Sequence, residues 1–190
     1  FVEFVGSSLG VKHSLILQTD GSVWATGMDL FVQLGDSLEN ENNVKTFTQI
    51  LPCGVKAVAA GAGHSVVMKK DGSVWTIGMN KFGQLGDRSN NDKQKFVKVV
   101  SRGAKDVSAG AQHSLLVKQD GSVWSTGSNL YGQLGRQGLG ISRNFFVNVV
   151  SSGGETVSAG FGHSMLLMQD GSVSAAGSNN HGNPRPKPYS

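Results

Sequence analysis

The sequence predicts an all-β fold, a partial β-propeller made of four-stranded blades about fifty residues long. Three short motifs that recur at nearly equal steps carry this prediction: Asp-Gly-Ser-Val, His-Ser and Gln-Leu-Gly. The chain has no long apolar pattern with the 3.6-residue period of a helix, whereas its short runs of Val, Leu and Ile are typical of strands. The propeller is one of the architectures that repeats an antiparallel sheet radially.

The repeat divides the chain into four copies. Asp-Gly-Ser-Val begins at steps of 51, 49 and 50 residues, at Asp20, Asp71, Asp120 and Asp170. His-Ser follows the same steps, at His13, His64, His113 and His163. We therefore predict repeats at 1–51, 52–102, 103–152 and 153–183, followed by a proline-rich tail at 184–190. The two end copies are atypical: Val32 stands where Gly83 and Gly132 stand, and the fourth copy is truncated.

Each copy reads as about four short strands. In the second copy the predicted strands are Val55 to Ala60, His64 to Lys70, Ser73 to Ile77 and Phe96 to Val100. Asp71-Gly72 lies between two of them and is a strong hairpin signal. The expected turn is type I′, which needs positive φ at both central residues.

These residues resemble a known family. Val58 to Met68, Val107 to Val117 and Val157 to Leu167 are similar to the signature of the regulator of chromosome condensation repeat, as are Asp-Gly-Ser-Val-Trp and the Asn-x-x-Gly-Gln-Leu-Gly stretch at Asn80. Two other propeller repeats fit the sequence less well. Kelch repeats need a double glycine with spaced Tyr and Trp, and the only double glycine here is Gly153-Gly154. WD repeats end in a Trp-Asp pair, which this sequence lacks. The resemblance implies a propeller that normally closes with seven blades, roughly 350 residues. We therefore expect this chain to be part of a longer protein, with self-association possible through its open edges.

We expect the recurring residues to hold the fold. They are His13, His64, His113, His163, Asp20, Asp71, Asp120, Asp170, Gly21, Gly72, Gly121, Gly171, Trp24, Trp75 and Trp124. A His and its neighbouring Ser point to opposite faces of a strand, so they cannot pair with each other as a nucleophile and base. Metal ligands must converge on one ion, and blades hold equivalent residues too far apart. We expect imidazoles hydrogen-bonded within or between blades, and no catalytic residue, cofactor or metal.

The composition bears on which partners the protein could bind and in which compartment it occurs. The formal net charge is +4, from 17 basic and 13 acidic residues, but charged residues make up only 16% of the chain. That density does not favour nucleic-acid binding. The single cysteine, Cys53, fits a reducing compartment, so we expect an intracellular protein of the cytoplasm or nucleus. No apolar run approaches the ~20 residues of a membrane span, and no signal peptide is visible.

The segments that differ between copies are the candidate binding site. They follow each Gln-Leu-Gly and are acidic in the first copy, mixed in the second and basic in the third. The charged residues that we take as candidates for partner binding are Asp36, Glu39, Glu41, Arg88, Lys93, Lys95, Arg136 and Arg143. Unlike charges on neighbouring blades suit a protein partner. The alternative is three solvated loops that bind nothing.

Two classes of function remain open. The first is a non-enzymatic scaffold for protein–protein interaction, a docking module like those that the family attaches to ubiquitin-ligase, kinase or membrane-traffic domains. A small GTPase and a ubiquitin-pathway protein are its candidate partners. The second is guanine-nucleotide exchange on a small Ran-like GTPase, with chromatin association. In the exchange factor of the family an inserted β-hairpin wedge does much of the work, and the equal repeat steps leave no room for one between His13 and His163.

Overall fold

The computed structural model describes residues 4–35 and 43–179, and every regular element in them is a β-strand. The strands are β1 (Phe4–Leu9), β2 (His13–Gln18), β3 (Val23–Met28), β4 (Asn43–Leu51), β5 (Val55–Ala60), β6 (His64–Lys69), β7 (Val74–Gly78), β8 (Lys93–Val100), β9 (Ala104–Ala109), β10 (His113–Lys118), β11 (Val123–Ser128), β12 (Ser142–Val150), β13 (Gly154–Ala159), β14 (His163–Met168) and β15 (Val173–Gly177). The predicted all-β fold is confirmed.

The strands form four separate antiparallel sheets. Sheet 1 contains β1 to β4, sheet 2 contains β5 to β8, sheet 3 contains β9 to β12, and sheet 4 contains β13 to β15. Within each sheet every strand pairs with the next one along the chain. The first strands of successive sheets contact one another, as β1 contacts β5 and β5 contacts β9. This is the arrangement of consecutive propeller blades, whose first strands lie innermost.

The apolar core lies between neighbouring sheets. Between sheets 1 and 2, Leu15 and Leu17 pack with Val55 and Val67. Equivalent clusters join sheet 2 to sheet 3 and sheet 3 to sheet 4, centred on Leu116 and Leu166. A blade therefore depends on its neighbour for burial of its apolar face, as repeat proteins generally do.

The Asp-Gly turns differ from the predicted type I′ geometry. Gly72 has a φ of 75°, but Asp71 is not among the residues with positive φ. The Gly72 amide donates to the Lys69 carbonyl, and the Lys69 amide donates to the Ser73 carbonyl. This pattern is that of a three-residue hairpin loop ending in a left-handed glycine. The prediction of two positive-φ residues was wrong because Lys70 also belongs to the loop.

The Asp-Gly turns also link neighbouring sheets. The Gly72 carbonyl accepts a hydrogen bond of 3.0 Å from the Ala104 amide at the start of sheet 3.

The aspartate of each turn is hydrogen-bonded within the turn. The Asp71 carboxylate accepts hydrogen bonds from the Ser73 side chain and amide, which lower the pKa of that carboxyl below its usual value. The same bonds are made at the corresponding turn, where the Asp120 carboxylate accepts from Ser122.

The strand histidines form a hydrogen-bonded link between sheets. His64 Nε2 lies 2.9 Å from Ser114 Oγ in the next sheet, and Ser114 Oγ donates to the Gln84 carbonyl at 2.8 Å. The pairs His13–Ser65 and His113–Ser164 repeat this arrangement at 2.9 Å. Because the serine proton is used on the glutamine carbonyl, the imidazole Nε2 must carry a hydrogen and donate it to the serine oxygen. We call this arrangement the His–Ser–Gln link.

Burial sets the charge state of these imidazoles. Desolvation lowers the pKa of His13 and of His113 to about 4, and that of His64 to about 3. The Nδ1 atoms of all three rings are buried and have no hydrogen-bond partner. The serines Ser65, Ser114 and Ser164 are fully buried too, so the His–Ser pairs lie out of reach of a substrate.

The repeated tryptophans are half-buried at the outer part of the sheets. Trp75 Nε1 donates to Ser73 Oγ at 3.0 Å. The ammonium groups of Lys69 and Lys98 lie 4.4 Å and 4.9 Å from the centroid of its ring. Trp124 repeats the serine contact and carries Lys118 at 4.1 Å. The indoles therefore serve as partly covered platforms for lysine side chains.

Val32 is strained where the other copies have glycine. Its φ is 55°, close to the 80° of Gly83 and the 79° of Gly132. A β-branched residue in this left-handed region is disfavoured by about 1–2 kcal/mol. The first repeat keeps the turn of the other copies despite this cost.

The two end sheets expose apolar side chains. In sheet 1 the exposed residues are Leu9, at the end of β1, and Val11, in the turn between β1 and β2. In sheet 4 they are Phe161, in the turn between β13 and β14, and Val173, at the start of β15. Self-association through these ends stays a prediction. The proline-rich tail predicted at 184–190 lies outside the described residues.

Candidate partner-binding surface

The loop after Gln-Leu-Gly in sheet 2 is bound to the outer strand of sheet 3. Asp87 forms an isolated β-bridge with Phe145 of β12. The Arg88 amide donates to the Asn144 carbonyl at 2.7 Å, and Asn144 Nδ2 donates to Asn90 Oδ1 at 3.0 Å. The candidate segment of one blade is thus fixed onto its neighbour.

A buried asparagine organises the inside of this loop. Asn80 Nδ2 donates to Asp87 Oδ1 at 2.9 Å and to the Ser89 carbonyl at 3.0 Å. Lys93 Nζ lies 3.1 Å from Asp87 Oδ2. Burial opposes ionisation of Asp87, but hydrogen bonds from Ser89, Lys93 and Asn80 outweigh it and hold the pKa of this carboxyl below its usual value. The charge of Lys93 is therefore engaged within the loop.

Arg88 remains on the surface. Its side chain is exposed, and its guanidinium carbon lies 5.3 Å from the centroid of the Phe145 ring. Its φ of 68° places it in the left-handed region. The bridge at Asp87 thus brings Arg88 of sheet 2 next to the strand that carries Arg143 in sheet 3.

The other predicted residues are spread over sheets 2 and 3. Lys95 is exposed on β8, and Arg143 is half-buried on β12. Arg136 is exposed and donates to the Asn148 carbonyl at 2.9 Å, beside a cavity of about 350 Å³ that faces sheet 4. The acidic residues Asp36, Glu39 and Glu41 lie outside the described residues. The structure therefore places only the mixed and basic parts of the predicted surface.

A groove between sheets 2 and 3 gathers three cations. The cavity has a volume of about 270 Å³ and is lined by Arg88, Arg102 and Lys118 together with Trp124, Phe145 and Phe146. We call it the sheet 2–sheet 3 groove. Its lining contains no aspartate or glutamate.

Arg102 and Lys118 were not among the sequence-predicted site residues. Their positions vary between copies: Arg102 corresponds to Cys53 and Ser152, and Lys118 corresponds to Met168 in the fourth copy. This variation is the signal that could have identified them. It was missed because only the segments after Gln-Leu-Gly were searched.

The described residues offer no cluster suited to a metal. Within 4–35 and 43–179, no group of three or more His, Cys, Asp or Glu side chains could hold an ion. The same part of the chain also contains no helix long and apolar enough to span a membrane.

The four sheets and the links between them define an array of β-propeller blades. Residues 55–84, 104–133 and 155–183 match one model of the regulator of chromosome condensation (RCC1) repeat, and residues 71–117 match a second model of the same repeat. The chain belongs to the RCC1 repeat family.

Relatives with this repeat are much longer proteins. A probable E3 ubiquitin-protein ligase HERC4 from Rattus norvegicus is 33% identical over 94 residues, which is 48% of this chain and 9% of the ligase. A protein RCC2 homolog from Danio rerio is 33% identical over 95 residues, 48% of this chain and 19% of that protein. An X-linked retinitis pigmentosa GTPase regulator homolog from Caenorhabditis elegans is 35% identical over 79 residues, 40% of this chain and 6% of the regulator.

Solved structures show the same propeller arc. Human WBSCR16 superimposes with a TM-score of 0.81 at 24% identity, over 93% of this chain and 47% of that structure. Prp20p from Saccharomyces cerevisiae, described with its binding properties to Gsp1p and histones, superimposes with a TM-score of 0.79 at 25% identity, over 93% of this chain and 45% of that structure. The chain spans about half the length of these propellers.

Proposed function

We propose that this array of blades is a non-enzymatic protein-interaction scaffold, acting as a docking module of a larger intracellular protein. One observation carries the proposal: several residues that repeat between copies are buried between sheets, whereas charged residues that differ between copies are exposed. The repeated His, Ser and Gln residues are engaged in buried links between sheets. The exposed charges that differ between copies, such as Arg88 and Arg136, are held at the surface by hydrogen bonds to β12. Rigid presentation of variable side chains favours selective binding.

The relatives support a docking module. In the rat ligase the matching segment is 9% of the chain, so the repeat is one part of a much larger protein. We propose the same setting here, with a ubiquitin-pathway protein or a small GTPase as candidate partners. The single, exposed Cys53 supports a reducing compartment, in the cytoplasm or nucleus.

Charge reversal in the third-copy loop tests the scaffold. We expect Arg136→Glu with Arg143→Glu to reduce capture of partners from a cell extract by several-fold. The variant would present negative charge to a partner surface that complements positive charge. Arg136→Glu should leave the fold intact, since exposed substitutions usually change stability by within ~0.5 kcal/mol. Arg143 is half-buried on β12, so the single Arg136→Glu variant is measured beside the double variant. The measurement is a quantitative affinity purification with thermal melting of each variant.

The matched control reverses two exposed charges elsewhere. Lys45→Glu with Lys56→Glu makes the same change in net charge on β4 and β5, and its partner set should equal that of the wild type. Identical partner sets for all three proteins would show that the loops after Gln-Leu-Gly are solvated connectors.

The second candidate function is guanine-nucleotide exchange on a Ran-like GTPase, with chromatin association. The observation favouring it is the likeness to Prp20p, which is described with its binding to Gsp1p and histones. Against it, the connections 79–92 and 129–141 contain no further strand pair beyond the isolated bridge at Asp87. The described blades thus offer no inserted hairpin to act as a wedge.

A further inference from the structure

The sheet 2–sheet 3 groove combines positive charge with aromatic surface. Arg88 and Arg102 are exposed at the cavity, and Lys118 is half-buried there. Neither arginine side chain forms an ion pair within residues 4–35 and 43–179. Asp120 interacts electrostatically with Lys118. Its carboxylate also accepts hydrogen bonds from the Ser122 side chain and amide, at 2.6 Å and 2.9 Å. The two arginines therefore carry most of the uncompensated charge.

The apolar side of the groove is also open to a ligand. Phe145 is 38% exposed although it sits beside Arg88. Trp124 and Phe146 are half-buried, and Leu116 beneath them is fully buried. A side chain entering the cavity would meet this apolar floor, while anionic groups beside it would meet the guanidinium groups.

The same combination is not repeated at the other two junctions. Between sheets 3 and 4, the counterparts of Arg88, Arg102, Lys118 and Trp124 are Gln137, Ser152, Met168 and Ser174. Between sheets 1 and 2, Lys69 and Trp75 are retained, but Cys53 replaces Arg102 and Ser37 replaces Arg88. A role in folding common to all blades would not need these three cations, so their coincidence at one junction points to recognition.

We propose that the sheet 2–sheet 3 groove binds an acidic peptide segment of a partner protein, with carboxylates on Arg88 and Arg102 and an aliphatic side chain against Trp124 and Phe146. This proposal rests on the scaffold function and specifies its partner chemistry. A peptide fits better than nucleic acid, because nucleic-acid affinity comes from phosphate contacts along a basic track. Here the cations surround one cavity with an apolar floor.

A peptide titration tests the groove. The probe is a short fluorescein-labelled peptide of alternating Asp and Glu with a central Leu-Leu pair, and binding is followed by fluorescence anisotropy. The groove variant is Arg88→Asn with Arg102→Gln. Asn is chosen because it tolerates the left-handed backbone that Arg88 adopts. The matched control, Lys45→Gln with Lys56→Gln, removes the same net charge, and thermal melting confirms that both variants are folded.

The expected result is a loss of about tenfold in affinity for the groove variant, and less than about twofold for the control. A peptide with Ser-Ser in place of Leu-Leu should bind several-fold more weakly to the wild type. No binding by the wild type, or equal binding by both variants, would overturn the proposal. Tighter binding of an oligothymidylate, lost in the groove variant, would assign the groove to nucleic acid instead.

This outcome separates the groove from the scaffold function. If the groove variant binds the peptide as the wild type does, while charge reversal at Arg136 and Arg143 still reduces partner capture, the groove proposal fails and the scaffold stands. If neither set of variants changes binding, both proposals fail.

Discussion

Lowering the pH from 7 to 5 should reduce the free energy of unfolding by about 2 kcal/mol for each of His13, His64 and His113. In the folded chain burial lowers the pKa of these imidazoles to about 4, 3 and 4, so they stay neutral at pH 5. In the unfolded chain they bind protons below a pKa of 6.5. The folded state therefore has its full stability above pH 6.5. It loses stability as the pH falls from 6.5 towards the pKa values of the folded imidazoles.

Three such losses are large beside a domain stability of about 5–15 kcal/mol. Urea unfolding measured at several pH values gives the number of protons taken up, which should approach about three between pH 6 and 5. His64→Gln, which keeps a side-chain donor, should reduce that number by about one. A free energy of unfolding that is constant from pH 7 to 5 would show that the rings are accessible to protons in the folded state.

Replacing Gly110 with alanine should destabilise the chain by about 3 kcal/mol or more, because nothing around the new methyl group can move aside. A Cβ at Gly110 would overlap the His113 ring and lie 2.5 Å from the Gly160 carbonyl oxygen. That ring is held by Ser164, and that oxygen accepts a hydrogen bond from the Ala111 amide. The link between sheets 3 and 4 would have to open.

Gly6→Ala is the matched control. A Cβ at Gly6 meets no atom within 4 Å, and Gly6 does not have positive φ. Its stability should change by less than about 1 kcal/mol. The readout is the urea midpoint of both variants. Equal midpoints would mean that the close packing of glycine against the imidazole does not stabilise the array.

The repeat period, together with the short apolar runs within each copy, was sufficient to predict the blades. Strand positions such as Val55–Ala60 follow from the alternation of apolar runs with glycine turns. The histidine partner was not predictable to the same degree: bonding within or between blades stayed open, because Ser114 lies 50 residues from His64 in sequence. The Asp-Gly turn was assigned wrongly because periodicity does not show whether Lys70 belongs to the strand or the loop.

The candidate surface was predictable only in part. Arg88 and Arg136 were found because they lie in segments that differ between copies. Arg102 and Lys118 lie near the same end of the β9–β10 hairpin, outside the segments after Gln-Leu-Gly, and were therefore missed. Packing of sheet 2 on sheet 3 adds Arg88 to them, and this was not predictable from the repeat. Sequence divergence identifies variable positions, but it does not show which of them meet in space.

The rate of nucleotide release from Ran tests the scaffold function most directly. A fluorescent GDP analogue is loaded on the GTPase, and its release is followed with increasing amounts of this chain, with magnesium chelation as the positive control. We predict a release rate equal to the spontaneous rate at every concentration, because residues 43–179 provide blades without an inserted wedge. An acceleration that rises with the concentration of the chain would contradict the scaffold and assign it to nucleotide exchange.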